Sequence, residues 1–173
     1  MFFLSIDIGI KNCGLTIFNL NDKQIIIQSV LDNWNNLTTS YLNNFIKYFN
    51  INNNYIIIIE KQLKGRKNIY LHGFINAYFQ NLNYKIINSN SFSFNIKSLK
   101  SYKQRKKLSE YYFKKIFKYG SSIGKIDDLA DSLCMGLVNI NNMLNICKGN
   151  KQKIMNYFLI NYDLKLIYIY IIY

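Results

Sequence analysis

Residues Tyr55–Ile59 read YIIII, an unbroken apolar run closed by Glu60. The run is too short for a helix and does not alternate, which is the pattern of a strand buried on both faces at the centre of a sheet. Such a strand needs covering layers on each side, so the chain is committed to a layered α/β domain. The neighbouring segments agree. Phe2–Ile8 is a second short apolar run, ending at Gly9. Cys13–Leu20 and Lys23–Val30 are two more strands, with Asn21-Asp22 as the tight turn between them, so the chain opens as an antiparallel meander. Tyr84–Asn88 supplies a fifth strand. Helical periods run from about Asn36 to Phe49, from Asn68 to Leu82, from Ser101 to Tyr119 and from Ile126 to Ile146. Leu108, Tyr111, Tyr112, Ile116 and Tyr119 are expected on one face of the third helix, and Trp34 under the first. The expected architecture is a mixed five-stranded sheet flanked by helices.

A chain of 173 residues and 20.5 kDa is the length of one domain and long enough to bury a core without metal or disulfide staples. Its main part is expected over residues 1–147. Residues 148–173 form a C-terminal extension, with Lys148–Lys153 as a separator and the apolar LIYIYIIY (Leu166–Tyr173) as a packed strand or helix. That tail is too short and too interrupted to span a bilayer, so no integral membrane segment is expected. The first apolar run already contains Asp7, unlike a signal peptide. Cys13, Cys134 and Cys147 form no CxxC pair, which favours reduced thiols in a cytosol-like compartment.

Lys and Arg number 22 against 9 Asp and Glu, a net charge of +13 that suits a polyanionic partner. Ile, Asn, Lys, Tyr and Phe all have AT-rich codons, so coding bias accounts for part of that charge. The acids carry more information, because the same bias does not favour them. Asp22, Asp32, Glu110 and Asp163 lie in turns or on polar faces. Asp7 sits inside an apolar strand, Glu60 ends another, and Asp127, Asp128 and Asp131 crowd the start of the last helix. A carboxylate on a buried strand is costly unless it is paired or binds a cation. Asp128 and Asp131, at i and i+3, project from one side of a helix. With the first strand beside the fourth and this helix across their ends, several carboxylates converge. Hard divalent cations choose such oxygen-only surroundings, and two of them about 4 Å apart serve phosphodiester cleavage. Each acid also has an ordinary reading: Asp7 as a turn cap, Glu60 as a strand terminus beside Lys61, and the Asp pair as a complement to the helix dipole. All three must hold together in an acid-poor chain.

SIDIGIKN (Ser5–Asn12), IIIIEKQ (Ile56–Gln62) and DDLADSL (Asp127–Leu133) resemble, in order and spacing, the poxvirus Holliday-junction resolvases, relatives of bacterial RuvC and of the fungal mitochondrial resolvases. The resemblance covers about Met1 to Ile146. It implies an RNase H-like fold, a homodimer, Mg²⁺ or Mn²⁺ with no small-molecule cofactor, and paired nicks that resolve four-way DNA junctions in viral recombination and concatemer resolution. Carried over motif by motif, Asp7, Glu60, Asp128 and Asp131 would be the catalytic, metal-binding carboxylates. Asp127 also lies four residues before Asp131, but the family's Asp-x-x-Asp spacing favours Asp128. Lys11 would lie near the scissile phosphate, or stand as a solvated turn lysine. Lys61, Lys64, Arg66 and Lys67 would meet DNA near the branch point. Leu63 stands where bacterial members place an aromatic wedge, and an apolar side chain there suits intrusion between bases. The family's dimer contact falls on Asn68–Leu82, where Tyr70, Phe74 and Tyr78 serve equally as intramolecular core.

Lys103, Lys107, Lys114 and Lys118, flanked by Arg105, Lys106 and Lys115, form a candidate track for a duplex arm, or a solvated face made lysine-rich by coding bias. His72 has no place near the acids. Other classes stay open: an RNase H-like nuclease acting on flaps or RNA–DNA hybrids, and a non-catalytic junction-binding protein. A two-domain ATP-binding fold of the actin and sugar-kinase kind shares a DxG start, but needs more chain than this. The expected site of action is the host cytoplasm of a replicating virus, with a mitochondrial relative as the second choice.

Overall fold

The computed structural model describes all residues except 10–11, 23, 32–37, 93–95, 97–100, 118–125, 162–164 and 173. Lys11, Lys118, Tyr119 and Trp34 therefore lie outside the described residues. The elements run β1 (Phe2–Asp7), β2 (Asn12–Asn19), β3 (Gln24–Leu31), α1 (Thr39–Tyr48), β4 (Tyr55–Glu60), α2 (Arg66–Asn81), β5 (Lys85–Ser89), α3 (Tyr102–Phe117), α4 (Asp127–Leu144), α5 (Lys151–Asn161) and β6 (Lys165–Ile172). β1, β2 and β3 form the antiparallel meander, and β4 joins β1 in parallel, so YIIII lies inside the sheet as its apolarity requires. β5 pairs in parallel with β4.

The sheet has six strands, not the expected five, in the order β5-β4-β1-β2-β3-β6. The sixth is the tail, whose backbone pairs in parallel with β3. Without it β3 would present an open row of N–H and C=O groups, and an Ile/Tyr-rich segment is the kind of chain that fills such an edge. Residues 148–153 are likewise more than a separator, because α5 begins at Lys151. Its Ile154, Met155 and Phe158 are buried with Phe113, Leu133 and Leu137 in one continuous core.

Strand alternation divides the molecule into two layers. Leu4, Ile6 and Ile8 of the first strand region, Leu15 and Ile17 of β2, and Ile57 and Ile59 of β4 pack with Leu42 and Phe45 of α1 and Leu71, Ile75 and Phe79 of α2. Phe3, Phe18 and Ile58 point the other way, against α3, α4 and α5. α4 is buried on almost every side from Leu129 to Val138, more widely than a single amphipathic face. α3 is covered over a narrower arc than its pattern suggested. Tyr112 and Phe113 are buried, whereas Tyr111 is turned outward and carries the ammonium of Lys115 5.8 Å from its ring centre. No helix among the described residues is long and apolar enough to cross a membrane.

Candidate active site

The site begins with strand parity. Side chains alternate across a strand, so Phe3, Ser5 and Asp7 share the α4 side of β1, and Ile56, Ile58 and Glu60 share the same side of β4. The parallel register runs Phe2↔Tyr55 to Ile6↔Ile59. The next step brings Asp7 beside Glu60 at the carboxyl ends of two adjacent parallel strands. Asp7 is only 8 % exposed. Burial, then the charge of Glu60 and a hydrogen bond between the two carboxyl groups, push Asp7 well above the usual carboxylate range. Gln62 spans the same strand ends. Its Nε2 donates to Oε2 of Glu60 at 2.7 Å and to the carbonyl of Ile8 at 3.0 Å, while its Oε1 accepts from Nδ2 of Asn68 at 3.3 Å.

The last helix is set down on this corner by small and polar side chains. A Cβ on Gly14 would collide with the carbonyl of Asp128, so only glycine lets the first turn of α4 sit this close to β2. One on Gly136 would run into the Phe18 ring. Below that turn, Oγ of Ser5 donates to the Ser132 carbonyl at 2.7 Å, and the hydroxyls of Thr16 and Ser132 share a hydrogen bond of 2.6 Å. Buried hydroxyls satisfied in this way fix the rotation of α4, and with it the direction of the neighbouring Asp128 and Asp131.

Into the cleft between α4 and the strand ends comes Lys106 of α3. Its Nζ donates to Oδ1 of Asp128 at 3.2 Å and to Oδ2 of Asp131 at 2.5 Å, with Oδ2 of Asp127 at 3.9 Å. Burial opposes this charge, but Asp131, Asp7 and Asp128 outweigh it and hold the ammonium protonated well above the ordinary lysine range. Burial raises Asp131 in turn, and the Lys106 ammonium offsets only part of that rise.

Asp7, Glu60, Asp128 and Asp131 are thus gathered at one corner, with Lys106 linked electrically to three of them. Lys61, Leu63 and Lys64 of the loop after Glu60, with Arg66 and Lys67 of the first turn of α2, form an exposed rim, Leu63 being 71 % exposed. Lys103, Lys107 and Lys114 are exposed along α3. His72 of α2 is bonded through Nε2 to Asn88 Oδ1 of β5 at 2.9 Å. By sequence alone Lys106 is one of the charges flanking the α3 lysine track. Its helical phase was the available signal, since Lys106 precedes the buried Ser109 and Phe113 by three and seven residues. Gln62 carries no signal of a role in its motif, because nothing in a sequence shows which way an amide will point.

Among the described residues no three acidic, histidine or cysteine side chains are drawn up around a single point as a finished ion cage. The Lys106 ammonium is what ties the α4 acids together. The donor set nevertheless fits a hard cation: the acids are all oxygen ligands, Asp7 and Glu60 crowd like charges in a buried corner, and Oδ1 of Asp127 is a buried oxygen with no hydrogen-bond partner.

Comparisons with known proteins converge. The family described as poxvirus A22 protein matches residues 1–145. The Holliday junction resolvase of fowlpox virus (strain NVSL) is 31 % identical over 162 residues, which cover 88 % of this chain and 100 % of that protein. The crystal structure of fowlpox virus resolvase with its substrate Holliday junction DNA superposes with a TM-score of 0.63 at 29 % identity, covering 83 % of this chain and 99 % of that one. RuvC of T. thermophilus, solved with a Holliday junction substrate, matches with a TM-score of 0.51 at 12 % identity, over 86 % of this chain and 98 % of that one. At that identity the likeness is one of fold.

Proposed function

The chain belongs to the poxvirus A22 protein family, and from that premise we infer that it is a Holliday junction resolvase, an endonuclease of RNase H-like fold that cuts four-way DNA junctions. The observation that carries the reading is the meeting of Asp7 and Glu60, from two parallel strand ends, with Asp128 and Asp131 of α4 in an otherwise basic molecule.

Asp7, Glu60, Asp128 and Asp131 are the residues that would hold divalent metal, Mg²⁺ with Mn²⁺ as a substitute. Bound there, the metal would supply an activated water and stabilise the leaving oxygen of the cut strand. The chain's own groups do the rest. Lys106 holds the Asp128 and Asp131 carboxylates together through its ammonium. The rim lysines and Arg66 engage phosphates near the branch point with Leu63 among them, and Lys103, Lys107 and Lys114 follow a duplex arm. Such contacts bind by charge and read shape more than base identity, which suits a branched substrate. Lys11 is proposed as a further DNA contact on the family resemblance alone, and Lys118 on its place in the lysine track of the sequence.

A junction has approximate two-fold symmetry, so a C2 homodimer would offer one site to each of two opposed strands. The exposed Ile69 and Tyr70 of α2 support placing the contact there, Tyr70 being 71 % exposed. Tyr78 is instead core, its hydroxyl donating to Asn43 Oδ1 at 2.6 Å. The proposed nuclease domain is 1–147, with 148–173 as an extension folded onto it, acting in the host cytoplasm.

The test is cleavage of a synthetic four-way junction in Mg²⁺, set against a 5′ flap and an RNA–DNA hybrid. Paired symmetric nicks in the junction, lost in Asp128→Asn with binding retained and largely kept in Asp127→Asn, are the expected result. Faster cutting of the flap or hybrid would replace the junction assignment. Equal loss in both variants would overturn the choice between the adjacent aspartates.

A further inference from the structure

We propose that Gln62 is a positioning residue of the active site, clamping the Glu60 carboxylate beside Asp7 and tying it to the first turn of α2; this rests on the metal-nuclease reading of the site above. Glu60 is the last residue of β4, its backbone paired with Ser89 of β5 while the register with β1 stops at Ile6↔Ile59, so no backbone ladder fixes its carboxylate beside Asp7. The Gln62 carboxamide does so. One of its two N–H groups goes to Oε2 of Glu60 and the other to the Ile8 carbonyl, so a single planar group locks the end of β4 to the end of β1. Both donors are committed, which leaves Oε1 to be held by Asn68.

Asn68 reaches it because Gly65 adopts φ 80, in the left-handed region open to glycine, and turns the loop directly into α2 at Arg66. A carboxylate meant for a cation is thus held by an outside partner that is itself held. Changing partners of that kind costs about 10–100-fold in metal affinity or activity.

The experiment compares the full chain with Gln62→Leu, Gln62→Glu and Asn68→Ala. Mn²⁺ binding is measured by calorimetry without DNA, junction Kd in Ca²⁺, and single-turnover cleavage over a range of Mg²⁺. In Gln62→Leu, Mn²⁺ affinity and the cleavage rate at low Mg²⁺ fall about 10–100-fold, junction Kd stays within about twofold, and high Mg²⁺ recovers part of the rate. Gln62→Glu, which replaces two donors by a charge, loses more. Asn68→Ala shows the same pattern at smaller size and keeps the test valid if Gln62→Leu fails to fold.

Unchanged metal binding and cleavage in Gln62→Leu or Asn68→Ala would overturn the proposal. So would a matching loss of junction affinity, which would make Gln62 a DNA contact. Glu60→Gln serves as the control: if it binds Mn²⁺ and cuts like the native chain, the site reading itself fails, whatever Gln62 does.

Discussion

At the scale of single residues, Asp7 and Lys106 make opposite predictions. Asp7 has its pKa raised in the folded chain, so folding favours its protonated form. The resulting stability is complete below the unfolded carboxylate pKa and is lost as pH rises through the raised folded value. Asp7→Asn should therefore stabilise the metal-free protein at neutral pH by about 1–3 kcal/mol, or about 2–4 °C in Tm for each kcal/mol. The gain should vanish at acid pH, where native Asp7 is already neutral; thermal melts across pH in EDTA measure both. Lys106→Met should do the reverse. With the ammonium gone, Asp128 and Asp131 face each other unpaired, and losing one partner of a buried pair costs about 3–5 kcal/mol. Melts in EDTA should show the drop, and Mg²⁺ should recover much of it. A Tm in EDTA equal to the native one would refute the role of Lys106 as the resident counter-charge.

At the scale of elements, the site depends on how closely α4 approaches β2. Gly14→Ala forces backbone against backbone at Asp128 and should cost about 1–3 kcal/mol in urea unfolding together with a loss of cleavage. Gly136→Ala meets side chains alone, the end of the Phe18 ring and Cβ of Ser5 at 3.0 Å, and should cost stability while sparing more of the activity. This geometry divides what the sequence made legible from what it did not. Short apolar runs disclosed β1 and β4, and period-two parity then aims Asp7 and Glu60 at the same layer. The i, i+3 spacing of Asp128 and Asp131 gave their shared face. Lys106 was hidden because its partners lie 22 and 25 residues away, beyond what local spacing registers, and Gln62 because the direction of its amide is set by the Ile8 carbonyl, 54 residues away, as much as by Glu60 and Asn68 nearby. The strand count fell short for a related reason. An edge strand is defined by the neighbour it joins, and β6 joins β3 across the whole chain.

At the scale of the molecule, the charge and the tail each make a prediction. If the exposed lysines neutralise ~6–8 phosphates per dimer, log K for the junction should fall against log salt with a slope of about −0.9 per phosphate, measurable by fluorescence titration. A slope near −1 would confine DNA contact to the site itself. α5 is joined to the rest by its apolar face, by the Tyr112 hydroxyl on the Gln152 carbonyl at 3.4 Å and by Lys151 Nζ on the Ser91 carbonyl at 3.0 Å. Each of the buried Ile154, Met155 and Phe158 contributes about 1.5–3 kcal/mol, against a typical net stability of 5–15 kcal/mol. A fragment ending at Cys147 should therefore lack a cooperative melt by circular dichroism, although it contains all four proposed catalytic acids. The order of synthesis gives this dependence a further meaning. A nascent chain carries Asp7, Glu60, Asp128 and Asp131 before α5 has been made, so the corner they form should stay loosely held until that helix emerges and packs.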